Sequence, residues 1–352
     1  MLQSMTGIGV RESAKYIYEN AKDVTINVEQ CRKAATDIYI NMMKNSYSTE
    51  TWATHILNPK TKDQSTVDWI FVVDLLNFSF WSDVDDKDTG RADSQRYTVK
   101  WMDIEWTGYW SLCAAINRAL AEDIPITSPA FWNNHERCTD DLIAHVFRSE
   151  TTEKVPMLTE RIACLREAGS ILTKEFGGSF VDCIEKADKS AIALVKLVVE
   201  KFPCFRDESE YEGKTVKIYK RAQILVSEIW ACFNQHSYGD FNDIDEITMF
   251  ADYRVPQILH SLGCLEYSEE LTQHIQHLIP IEHGDAREIE LRGCSIWSVE
   301  LIKKEILKQN PGTKVNAILI DFFLWDAAKA AQKAMGTEQK AIQCHRTRSI
   351  FY

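Results

Sequence analysis

Lys217-Ile-Tyr-Lys-Arg-Ala-Gln-Ile-Leu-Val-Ser-Glu-Ile-Trp-Ala-Cys-Phe233 decides the fold class of this chain. Ala222, Leu225, Val226, Ile229 and Phe233 recur three and four positions apart, the period of one helix face. The segment therefore reads as a strongly amphipathic helix, with Lys217, Lys220 and Arg221 available for its solvated side. The same period recurs on both sides of it. Ile26, Cys31, Ala34, Ala35, Ile38 and Met42 predict a helix over 26–43. Thr107 is placed to cap a helix through Tyr109, Leu112, Ile116 and Leu120, closed by the turn at Asp123 to Pro125. A helix over 157–176 stops at Gly177-Gly178, and one over 188–202 stops at Pro203. Strand signal is confined to 97–106, which partly alternates, and to 213–218, one edge of a hairpin. Residues 67–81 are apolar enough for a strand or a buried helix, and periodicity does not decide between them. The fold class read from these segments is mainly α, with minor β elements.

The length of 352 residues suits one large domain or two intimately packed ones, and neither an internal repeat nor a low-complexity linker divides it. We read residues 1–352 as a single unit; were it two helical lobes, they would meet near 203–215. A content of 45% hydrophobic and 26% charged residues is that of an ordinary globular protein. The most apolar runs, 69–76 and 191–199, are short and interrupted by Asp74 and Lys196, so no membrane span is expected. No signal peptide is readable at the N-terminus. None of the ten cysteines lies two to four positions from another, which predicts reduced thiols in a cytoplasmic or nuclear compartment and speaks against structural zinc. Asp83, Asp85, Asp86, Asp88 and Asp93 cluster around Gly90, but without the order of ligands and closing Glu of an EF-hand; we read a solvated loop. The net charge of −12 is the wrong sign for gripping a nucleic-acid polymer, whose binding is driven by neutralising phosphates. A small basic pocket for a single phosphate remains compatible with it.

The sequence has no phosphate-cradling Gly-rich loop, no Gly-x-Ser-x-Gly elbow and no His-Glu-x-x-His helix. What it does have are acids and aromatics embedded in apolar sequence. Asp74 and Asn77 lie within Trp69-Ile-Phe-Val-Val-Asp-Leu-Leu-Asn-Phe-Ser-Phe-Trp81. Asp252 lies beside Phe250 and Arg254 in Thr248-Met-Phe-Ala-Asp-Tyr-Arg-Val-Pro256. Asp321-Phe-Phe-Leu-Trp-Asp326 closes the apolar run from Val315. A carboxylate in such a run is costly to bury unless paired or hydrogen-bonded. Taken singly, each is as well explained by a cap or a buried ion pair, Asp252 with Arg254 for instance. Three such acids, each next to an aromatic, point instead to a pocket.

These segments, with Lys220-Arg-Ala-Gln223, resemble the queuosine 5′-phosphate N-glycosylase/hydrolase family. The resemblance runs from about Val10 to His345-Arg-Thr-Arg-Ser-Ile-Phe-Tyr352 and includes Thr54-His-Ile-Leu-Asn-Pro59 and Tyr109-Trp-Ser-Leu-Cys-Ala-Ala-Ile-Asn-Arg-Ala-Leu120. It implies a mainly helical fold similar to the helix–hairpin–helix DNA glycosylases. It also implies a small-molecule substrate, queuosine 5′-phosphate rather than intact tRNA, cut to queuine and ribose 5-phosphate without a cofactor or metal. By resemblance Asp252 faces the ribose C1′, Phe250 packs against the substrate, and Asp321, Trp325 and Asp326 hold the base. Positions 321 and 325 share a helix face, with 326 turned about 100° further. His55 matches a position near the base, although a lone histidine is as readily a satisfied core residue. Asp74, Asn77 and Arg254 complete the expected substrate-binding set. Lys220 is expected to hold either the 5′-phosphate or the charge on Asp252, unless it merely belongs to a solvated face; His345, Arg346 and Arg348 are further phosphate candidates. Two rival readings stand beside this one. A DNA-repair glycosylase requires a Gly-rich hairpin before the catalytic Asp, where this chain has the acidic Gly239-Asp-Phe-Asn-Asp-Ile-Asp245. A non-catalytic helical nucleotide-binding protein would need no buried carboxylates beside aromatics. The oligomeric state is not legible.

Overall fold

The computed structural model describes residues 9–83, 96–334 and 343–352. Helices dominate it. In chain order they are α1 (Val10–Asn20), α2 (Val28–Lys44), α3 (Glu50–Thr54), α4 (Gln64–Leu75), α5 (Tyr109–Ala121), α6 (Pro129–Trp132), α7 (Asp140–Val146) and α8 (Leu158–Glu175). There follow α9 (Val181–Lys186), α10 (Ala191–Lys201), α11 (Lys220–Cys232), α12 (Arg254–Ser261), α13 (Glu269–Gln276), α14 (Ala286–Gln309) and α15 (Ala317–Ala334). Strands among the described residues form three antiparallel pairs: β1 (Val24–Ile26) with β6 (Leu265–Tyr267), β2 (Val99–Trp101) with β3 (Ile104–Trp106), and β4 (Glu208–Tyr211) with β5 (Lys214–Lys217). Mainly α with minor β is thus the observed class.

Local chemistry explains the element ends. Asn27 accepts the backbone NH of Gln30, so α2 starts there and the preceding residues pair as β1. Asp63 caps α4 at Thr66, which settles the ambiguous 67–81 stretch as a helix to Leu75 followed by non-helical chain. Ser190 caps α10 at Ala193. Thr107 does not cap α5; Gly108 does, at φ 63°, a backbone that glycine adopts without strain. The strand signal at 97–106 is a hairpin turning at Met102-Asp103, and the expected hairpin edge at 213–218 pairs with β4 across a turn at Glu212-Gly213. Of the acidic loop, Asp83 meets Arg348 at 3.1 Å, while Asp85, Asp86, Asp88 and Asp93 lie outside the described residues.

The amphipathic reading of the decisive helix is corrected. Every residue of α11 from Lys220 to Cys232 is buried, because α3, α4 and α10 pack around it. Its polar positions face internal partners rather than water. Arg221, 1% exposed, donates to the carbonyl oxygens of Asp74 (3.3 Å), Leu75 and Cys204, with its guanidinium over the Phe78 and Phe205 rings. Both terminal nitrogens of this buried cation are thereby met by carbonyl oxygens, which offsets the cost of its desolvation.

The buried apolar side chains form one cluster running from Val10 to Leu324. The longest helix, α14, packs against α1, α2, α12 and α15. It meets α1 tightly at Gly293, where a β-carbon would lie 2.5–2.7 Å from three side-chain carbons of Ile17. Gly293→Ala should therefore destabilise the protein by about 1–3 kcal/mol despite alanine's better helix propensity. A melting temperature equal to or above that of the parent would refute this tight packing.

Candidate active site

The segments read as chemical converge on a cavity of about 350 Å³. Lys220 opens α11, and its backbone NH donates to Asp207 Oδ2 at 3.2 Å. Asp207 is clamped by the buried guanidinium of Arg292, at 3.0 Å to Oδ1 and 2.6 Å to Oδ2. Arg292 Nε also donates to the carbonyl of Ala251 at 3.0 Å, and Nη2 donates to that of Phe351 at 3.1 Å. One planar donor group thus ties the start of α11 to the residue before Asp252 and to the C-terminal segment. That bracing fixes where Lys220 and Asp252 stand.

Asp252 sits just ahead of α12. Its Oδ1 accepts the backbone NH groups of Arg254 (2.7 Å) and Val255 (2.9 Å), two donors that the helix itself leaves unsatisfied. Burial pushes the Asp252 carboxyl up; the Lys220 charge, these NH groups and Arg254 oppose that rise without cancelling it. Burial pushes Lys220 down to about 8, against the pull of Asp252. At 5% exposure Lys220 is not the solvated lysine its helix period suggested. Its Nζ lies 3.5 Å from the Asn77 carbonyl. Asp252 meets Arg254 through the latter's backbone NH, and the guanidinium lies over the Tyr253 ring.

Asp321, on α15, accepts the Phe250 NH at 3.0 Å, so it holds the strand of chain that carries Asp252. Burial first, then the charge of Asp252, keeps the Asp321 carboxyl well above the usual range. Phe250 packs on Phe322 at 6.0 Å between ring centres. Asp326 accepts the Tyr47 hydroxyl, and Trp325 presents its face to the Lys329 ammonium at 4.0 Å. Asp321, Trp325 and Asp326 all line the cavity, despite their spread around the helix. His55 stacks flat on Trp110 at 3.4 Å and meets Trp106 edge-on. Desolvation and the nearby Lys329 and Lys60 lower His55 to about 4, so at neutral pH its ring is uncharged.

Of the expected set, His55, Asn77, Lys220, Phe250, Asp252, Arg254, Asp321, Trp325 and Asp326 line this cavity. Asp74 does not. It is fully buried behind Asn77, whose amide donates to it at 3.1 Å. His345, Arg346 and Arg348 are also absent from the wall: His345 meets the Tyr352 hydroxyl at 2.9 Å, and both arginines lie over the Trp81 ring. The tail enters the site through Tyr352 instead, anchored by the Ser79 NH donating to its carbonyl at 2.6 Å. Sequence reasoning missed Glu228, Tyr109 and Lys329. A glutamate within the largely apolar stretch 224–232 is the signal that was there for Glu228, and Tyr109 opens a segment quoted above for the resemblance; Lys329 carried none.

A sequence profile of the queuosine salvage protein family matches residues 57–352. The chain belongs to that family. Three relatives named queuosine 5′-phosphate N-glycosylase/hydrolase illustrate the similarity. The one from Schizosaccharomyces pombe is 49% identical, over 97% of this chain and 99% of its own length. The one from Mus musculus is 42% identical over 97% of this chain and 98% of its own. A bacterial one, from Sphaerobacter thermophilus, is 34% identical over 98% of both. The profile's range contains Lys220 and Asp252 of the queuosine-salvage chain and every cavity residue from Asn58 onward.

Proposed function

We propose that this chain hydrolyses the N-glycosidic bond of queuosine 5′-phosphate, giving queuine and ribose 5-phosphate. The observation that carries the reading is the buried Asp252–Lys220 pair, set in the wall of an aromatic-lined cavity. Glycosidic cleavage builds positive charge at the ribose C1′. A carboxylate held rigidly beneath that carbon, in a site of low dielectric, stabilises it. Asp252 fills this role, because two backbone NH groups fix its orientation and Lys220 favours its charged form. Arg254, which lines the cavity beside Asp252, is the cation at this end for the 5′-phosphate, while Lys220 serves Asp252.

Queuine is a 7-deazapurine, so the leaving base cannot be protonated at ring position 7. As the C1′–N bond breaks, its electron pair leaves with the base, and water supplies oxygen to C1′ and a proton to the base. Negative charge on the departing base must be met along its edge. Asp321, whose carboxyl burial pushes well above the usual range, lines the cavity as the group to meet that edge. His55, Trp110 and Trp325 supply flat faces for the ring system. No residue is asked to bind a metal or organic cofactor.

The likeness to helix–hairpin–helix DNA glycosylases belongs to this proposal, supported by an aspartate placed directly before a short helix. The acidic 239–245 segment and the net charge of −12 favour a mononucleotide over a duplex. A reducing compartment is supported by ten cysteines that form no disulfide among the described residues, where no helix is long and apolar enough to cross a membrane.

The test is incubation of the protein with queuosine 5′-phosphate across pH, following release of queuine. We expect turnover, with kcat/KM highest near neutral pH. It should fall above about pH 8, as Lys220 loses its charge on rising through its lowered pKa. On the acid side it should fall as Asp252 is protonated, at a higher pH than an ordinary aspartate because its pKa is raised. Absence of queuine at every pH would refute the proposal, and a flat alkaline limb would remove Lys220 from it.

A further inference from the structure

Helix α11 runs past the cavity from Lys220 to Glu228, eight residues apart and hence about 12 Å along its axis. Both ends line the cavity. One end carries the Asp252–Lys220 pair. The other carries a carboxyl to which the proposed reaction assigns nothing. Glu228 is 6% exposed, and its Oε1 accepts the Tyr109 hydroxyl at 3.0 Å. Its Oε2 is enclosed without a hydrogen-bond partner. Asp74, buried behind the wall, likewise keeps an enclosed and unpartnered Oδ2. The two acids repel one another, and burial raises both. The groups that steady Glu228 are neutral donors, Tyr109 and Trp52, not a cation. Lys220 and Arg221 act on Asp74 from the other end of the helix; Cys113 on α5, Cys232 on α11 with Lys62 beside it, and Lys329 on α15 are further charged or titratable neighbours.

A buried acid pair with two orphan oxygens, one of them on an acid steadied by neutral donors alone, satisfies itself by keeping one proton, or by receiving a cation from a ligand. The substrate proposed above carries one cationic group, the secondary amine that joins its side arm to the base. We propose that Glu228, backed by Asp74, is the counter-ion for that side-arm amine and so selects bases that carry it. This rests on the function proposed above. With Asp252 at the ribose and Glu228 at the opposite end of α11, the base lies between them along the aromatic wall. The ammonium then takes the place of the proton that the pair holds in the free protein. That proton leaves to solvent, so no atom or charge is unaccounted for.

The experiment is titration calorimetry of the full chain with queuine and with 7-deazaguanine, which lacks the arm, in two buffers of different ionisation heat. Queuine should bind with release of a proton, and 7-deazaguanine without it. Glu228→Gln should weaken queuine about tenfold to a hundredfold and leave 7-deazaguanine unchanged, the effect of losing one charge-assisted hydrogen bond. Asp74→Asn should suppress proton release while queuine still binds. Equal losses on both bases in Glu228→Gln, or no proton release with queuine in the wild type, would overturn the assignment; the second outcome decides even if Glu228→Gln fails to fold. Failure of the function itself shows separately, as wild-type protein that binds queuine yet releases none from queuosine 5′-phosphate.

Discussion

Asp252→Asn is expected to lower kcat on queuosine 5′-phosphate by about a hundredfold or more while leaving the protein folded, the scale seen when a main electrostatic stabiliser is removed. The structure gives both halves of this expectation. An amide oxygen can still accept the NH groups of Arg254 and Val255, so the start of α12 keeps its cap. What disappears is the negative charge at the position proposed for C1′, and with it the partner that holds Lys220 in its charged form. An unchanged melting curve with a collapsed kcat is the expected pairing. A folded Asp252→Asn protein with near-normal turnover would take Asp252 out of the mechanism.

Lys220→Ala is expected to reduce kcat/KM by about tenfold to a hundredfold, and equally on the nucleotide and on the unphosphorylated nucleoside. The magnitude follows from roughly 1.5–3 kcal/mol for a charge-assisted contact, at 1.4 kcal/mol per tenfold. The equality follows from what Lys220 faces: the charge of Asp252 is the chief influence opposing its desolvation. Both substrates pass through the same cationic state at C1′ and need the same ionised carboxylate. A loss confined to the nucleotide would instead assign Lys220 to the 5′-phosphate. No loss on either would return it to a packing role, one that 5% exposure and a lowered pKa make hard to sustain.

The helical class, five of the helices, the strand signal at 97–106 and the hairpin edge at 213–218 were legible because caps, turns and periodicity act over a few residues. Asn27, Asp63 and Ser190 stop or start helices by bonding backbone three positions on, wherever the rest of the chain goes. The acids beside aromatics were legible too, since a carboxylate in an apolar run needs a reason whatever the fold. Most of the expected site residues do meet at one cavity.

Which faces would be covered was not legible. Hydrophobic period registers one apolar stripe, and on α11 it assigned Lys220 and Arg221 to water. In the structure their partners are carbonyl oxygens and carboxylates brought from α4, the 203–207 turn and the Asp252 segment. Such partners have no fixed offset in sequence, so no local pattern announces them. For the same reason Asp74, the more apolar-flanked acid, fell behind the wall while Glu228 entered it. By itself the sequence determined that this chain is helical, carries a net charge of −12 and resembles one family along nearly its whole length. Only the tertiary structure decided that Lys220 and Asp252 line one cavity, because Arg292 braces their two segments from a third, and a buried guanidinium must satisfy its donors wherever the fold supplies oxygen.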